Sequence, residues 1–189
     1  LQNTPPLTSA DAFANKLAVF EGRSLVDYAL WGGLVTDNTA ELAGMDAAGA
    51  VGFKAFIAPV SLGYSSVDMG LAREALFRIK AFGGLAGFHC EDHALICAGE
   101  AKAKAGGGTR RAFLDSRPVV AEVIATANVI ELARETGARV HICHVSPPRV
   151  AELARPAPAA RSSVPAATCP PCLAFPHEHP LPRVMVFAC

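Results

Sequence analysis

Apolar and polar positions alternate along this chain with two rhythms. Helical spacing runs through Phe13, Leu17 and Phe20 behind a Thr8/Asp11 pair at capping-box distance, and it stops at Gly22. The apolar run "SLVDYALWGGL" (24–34) then reads as a strand leaving through two glycines. Asn38 and Glu41 repeat the capping-box spacing for a second helix, which Gly49 would end. Further strands are predicted over "AVGFKAFIAP" (50–59), "LAGFHC" (85–90) and "RVHICHVS" (139–146). Helices are predicted over "DMGLAREALFRIKAFGG" (68–84) and "HALICAGEAKAKAGGG" (93–108). A longer one opens at Ser116, Arg117 and Pro118 and ends at Gly137, and a short one covers "PPRVAELA" (147–154).

The strand runs are apolar on both faces and alternate with helices. That is the pattern of an α/β fold with a parallel sheet, either doubly wound or closed into a barrel. About four parallel βα units fit into residues 1–155. Residues 156–189 are dense in proline and have little periodicity, so they are predicted to form an irregular tail with at most one short strand. The chain shows no internal repeat.

Composition narrows the function classes. At 189 residues, 51% hydrophobic and 18% charged, the chain suits one globular domain with a sizeable core. Its formal net charge of zero argues against nucleic acid or a membrane surface as partner. No apolar run approaches the roughly 20 residues of a membrane span. The opening "LQNTPPLTSAD" lacks the basic and apolar regions of a signal peptide, and a first residue of Leu instead of Met suggests a missing start. Six scattered cysteines read as reduced thiols, which favours a cytoplasmic protein.

Lys54 sits within an apolar strand, where a lysine is costly unless it is paired, chemically altered or able to reach water at an edge. His89 and His144 each close a predicted strand, and the C-terminal edge of a parallel sheet is where ligand sites assemble. His141 and His144 stand three apart, so a continuous strand would point them to opposite faces, with Ser146 on the face of His144. Two imidazoles and a lysine make a metal site only if the lysine supplies oxygen, because an ammonium has no lone pair. Carbamylation by carbon dioxide would turn the amine into a bridging carboxylate. The three side-chain tips would then lie on the order of 5–9 Å apart, with His141 pointing away.

The blocks "VDYALWGGL", "AAGAVGFKAFIA", "GFHCEDHALI", "LDSRPVVAEV" and "RVHICHVS" stand in an order and spacing that resemble the cyclic amidohydrolases. "WGGL" and "HCE…ALIC" favour the allantoinase branch over the hydantoinase, dihydropyrimidinase and dihydroorotase branches. The resemblance implies part of a metal-dependent (β/α)8 barrel acting on a small cyclic ureide, opening allantoin to allantoate, in a homo-oligomeric full-length enzyme. It further implies two divalent metal ions (Zn, with Co and Mn as alternatives), a carboxylated Lys54 bridging them, and His89 and His144 holding the second. By the same block, Arg117 and Glu122 would pair at the start of the long helix. Asp92 reads as a helix cap, whereas Glu91 is open between a cap and a partner for His89. Cys90 and Cys143 are expected to point away from the ligands.

Two departures from the family pattern bear on activity. The family's His-x-His pair on the first strand, and the last-strand aspartate that serves as general base, have no counterpart in the expected places, so no catalytic base is assigned. The chain alone is therefore expected to be inactive, as a partial hydrolase or as a shortened non-catalytic paralogue serving as an interaction module. "AATCPPCLAF" also differs from the block that shapes the family's substrate pocket. There Cys169, Cys172, His177 and His179 offer a competing zinc motif, although their H-x-H gap is short for a finger.

Overall fold

The computed structural model describes residues 3–60, 64–155 and 164–174. Four parallel strands, β1 (Gly32–Gly33), β2 (Phe53–Phe56), β3 (Leu85–His89) and β4 (Arg139–Ile142), lie side by side in chain order. Helix α1 (Ala10–Phe20) precedes them, capped by Ser9 instead of Thr8. Between the strands run α2 (Leu42–Ala47), α3 (Met69–Ala81), α4 (His93–Ala105), α5 (Arg110–Asp115) and α6 (Val119–Thr136). Helix α7 (Pro148–Ala154) follows β4, and α8 (Pro170–Ala174) closes the described part. This is the expected α/β architecture, a segment of a (β/α)8 barrel. No helix among the described residues is long and apolar enough to cross a membrane.

Register divides the sheet into two unlike faces. Phe53 pairs with Ala86 and Ala86 with Val140, while Ala55 pairs with Phe88 and Phe88 with Ile142. All six are buried in one core with Ala72, Ala75, Leu76 and Ile79 of α3 and Val129 and Ala133 of α6. The alternate positions Lys54, Phe56, Gly87, His89 and His141 share the other face, so the strands are not apolar on both sides as expected. At Gly137, φ of +65° ends α6 in the left-handed conformation that glycine adopts without steric cost.

The predicted strand over 24–34 is present only at Gly32–Gly33. Ser24 Oγ donates to Val26 O and accepts from Val26 N, which turns the backbone locally and leaves Leu25 fully exposed. Helix α5 was not predicted; Thr109 caps it, accepting from Ala112 N within a glycine-rich stretch. Residues 164–167 continue the sheet beyond β4. Ala166 bridges Ile142 in parallel, with Ile142 N donating to Pro165 O and Ala167 N to Ile142 O at 2.9 Å each.

Candidate metal centre

Lys54 stands on the inner face of β2 and is only 2% exposed. Its neighbour across the ladder is Gly87 of β3, where an added Cβ would lie 2.7 Å from the Trp31 ring and 3.2 Å from Cys143 Sγ. Glycine here lets those side chains close over the strand. Two residues on, His89 ends β3 on the same face. Strand β4 ends at Ile142, and His144 then takes φ of +42°, a left-handed turn rarely adopted by a residue with a side chain.

The three tips meet. His144 Nε2 lies 3.1 Å from His89 Nδ1 and 3.4 Å from Lys54 Nζ. Phe56 lies beside both Lys54, whose Nζ is 5.1 Å from the ring centre, and His89, at 5.5 Å between centroids. These separations are shorter than expected because the side chains hydrogen-bond one another directly. A pocket at this point is lined by His89, Cys90, Glu91, Glu122, Cys143 and His144.

Three expectations fail here. His141 does not point away: its register with Gly87, and that of Gly87 with Lys54, places all three on the inner face. Period-two counting misplaced it because the strand stops before His144. Cys143 faces the site, where it lines the pocket and lies close enough to Lys54 to oppose the fall of its pKa. Cys90 does turn to the core, where burial pushes its thiol up to about 12. Arg117 does not pair with Glu122. It binds Glu100 at 3.1 Å, lies 3.8 Å from Glu91 Oε1 and stacks 4.6 Å from the Phe113 ring centre.

Burial lowers the Lys54 pKa, opposed by Cys143. Burial, then Lys54 and His89, lowers His144 to about 3. Both shifts favour neutral nitrogen with a free lone pair, the form that a metal or carbon dioxide requires. His89 donates Nε2–H to Glu91 Oε2 at 2.7 Å, so Glu91 partners the histidine. Asp92 is the cap, accepting from Leu95 N. Among the described residues no three His, Cys, Asp or Glu side chains form a metal-holding group. The donor set therefore fits a cation only when Lys54 contributes oxygen.

No protein-family model matches the chain. An allantoinase from Solibacter usitatus is 38% identical over 148 residues, 77% of this chain and 32% of that protein. A second, from Streptomyces avermitilis, is 33% identical over 90% of this chain and 38% of its own length. The structure titled L-hydantoinase (dihydropyrimidinase) from Arthrobacter aurescens superposes with a TM-score of 0.77 at 37% identity, over 81% of this chain and 34% of that one. Over most of its own length the chain is similar to part of these cyclic amidohydrolases. It spans about a third of the length of the relatives it matches.

Glu122 was expected only as a salt-bridge partner. It lines the pocket from the first turn of α6, which Asp92 N fixes to the end of β3 by donating to Ala121 O. Its Oε1 accepts from Ser146 N at 3.0 Å. A lone acid within "VVAEVIA" was the available signal. Burial raises Glu122 to about 7, with Glu91 adding to the rise and Ser146 opposing it. The folded state therefore holds a proton that the unfolded chain has released above pH 4.5. This contribution to stability is full below 4.5 and is lost as pH rises through 7. Glu122→Gln, compared with the parent by urea melts at pH 5 and 8, should gain relative stability at the higher pH. An equal difference at both would contradict the shift.

Proposed function

We propose that this chain supplies the lysine and two-histidine side of the active site of a metal-dependent hydrolase that opens a cyclic ureide, with allantoin converted to allantoate. The observation that carries this reading is the meeting of Lys54 Nζ, His89 Nδ1 and His144 Nε2 at the C-terminal edge of a parallel sheet. The neutral Lys54 amine attacks carbon dioxide, forms a nitrogen–carbon bond and releases a proton, leaving a carboxylate. That carboxylate, with His89 and His144, would hold divalent metal, zinc with cobalt and manganese as alternatives. When bound, the metal lowers the pKa of water and polarises the ring carbonyl. The chain's own residues orient these donors: Glu91 holds His89, Glu122 anchors the turn after His144 through Ser146 N, and Phe56 shields Lys54. We place the full-length enzyme in the cytoplasm as a homo-oligomer, from the cysteine usage and the family resemblance.

A hydantoinase-type ring is the second reading, favoured by a likeness to the L-hydantoinase structure at nearly the same identity as to the allantoinase. Both rings can be tested in one protein. The matched 148-residue segment of the Solibacter usitatus allantoinase is replaced by the corresponding part of this chain. The chimera should open allantoin faster than hydantoin or dihydroorotate, and His89→Ala within it should reduce turnover to background. A folded chimera that opens none of these rings would overturn the proposal.

A further inference from the structure

We infer that Glu91 is a positioning residue that fixes the tautomer of His89 and so decides which ring nitrogen faces Lys54 and His144. The inference rests on the proposed reading of Lys54, His89 and His144 as metal-binding. Glu91 Oε2 lies 2.7 Å from His89 Nε2. A carboxylate only accepts, so the proton must sit on Nε2, and Nδ1 keeps its lone pair. Nδ1 is the nitrogen 3.1 Å from His144 Nε2. With the proton on the other nitrogen, His89 would present N–H to the cluster and could not act as a donor there.

The carboxylate is itself held. The His89 and Glu91 side chains are 15% and 14% exposed, so water competes little for their hydrogen bond. Arg117 Nε lies 3.8 Å from the second oxygen, Oε1. Arg117 in turn is fixed by Glu100 at 3.1 Å and by the Phe113 ring. Each Glu91 oxygen thus has one partner, and rotation of the carboxylate would lose both. The competing role of helix cap is filled by Asp92.

The test uses the full chain. Nitrogen-15 histidine spectra of metal-free protein report the His89 tautomer, and chelator competition reports Zn²⁺ affinity. The parent should show His89 protonated on Nε2 alone. Glu91→Leu should give a tautomer mixture and bind Zn²⁺ about 10–100-fold more weakly. Glu91→Gln, which can still offer a carbonyl oxygen, should restore the single tautomer and most of the affinity. Should Glu91→Leu fail to fold by circular dichroism, Arg117→Leu replaces it, with a smaller shift in the same direction. Unchanged tautomer and affinity in the leucine variants would overturn the inference, as would a glutamine variant no better than leucine. Failure of the metal-site reading is separate: His89→Ala would then leave Zn²⁺ affinity at the parent value, whatever the tautomer.

Discussion

Lys54→Met should yield a protein that is more stable and no longer binds zinc at this cluster. The two effects have one cause. Lys54 is 2% exposed, its neighbours are Cys143, His144 and Phe56, and it forms no salt bridge among the described residues. Burial without an opposite charge works against the ammonium, which is why its pKa falls. Methionine has a similar reach and no polar head, so it should fill the same space with a gain on the order of 1 kcal/mol. It cannot carry a carboxylate, so the oxygen that would complete the proposed donor set is lost. A lysine kept for structure would behave the opposite way. Urea melts with zinc competition on both proteins decide it, and a destabilised Lys54→Met with parental zinc affinity would contradict the account.

The second large effect concerns His144. His144→Ala and His144→Gly should both lower Zn²⁺ affinity by more than the roughly 10–100-fold that loss of an outer partner costs, because in the proposed site they remove a donor itself. The two variants should differ from each other in stability. At φ of +42° any side chain crowds its own backbone, at a cost of about 1 kcal/mol that glycine avoids. Glycine at 144 should therefore be the more stable of the two, while binding zinc equally poorly. Equal melting of the two would mean that the turn carries no strain. Retained zinc affinity would remove His144 from the site.

Much of the barrel segment was legible because its signals are local. Helix α3 could be read from Asp68 as cap, the apolar face through Ala72, Ala75, Leu76 and Ile79, and the glycine stop at Gly83. Lys54, His89 and His144 could be singled out because each broke an apolar run. What stayed hidden depended on geometry that no short window contains. Period-two alternation assumes an unbroken strand, but β4 ends at Ile142, so the parity of His141 against His144 came out wrong. Arg117 pairs 17 residues back with Glu100 instead of forward with Glu122, because α5 folds the chain between them. The run 24–31 has strand-like composition, yet only its end reaches β2, where Val51 N donates to Leu30 O and Gly32 N to Gly52 O. Ala166 beside Ile142 could not be expected from a proline-rich sequence that names no partner. Of the tail motif, Cys172 Sγ lies 3.8 Å from Ser146 Oγ and Cys172 N donates to Cys169 O, while His177 and His179 fall outside the described residues.

The most direct measurement is a zinc-edge anomalous difference map from crystals of the full chain grown with Zn²⁺ and bicarbonate. The account predicts a peak bound by His89 Nδ1 and His144 Nε2, with added carboxylate density on Lys54 Nζ, and no such peak in Lys54→Met. A peak held by Cys169 and Cys172 instead, or an unmodified Lys54 with no metal beside the two histidines, would contradict it.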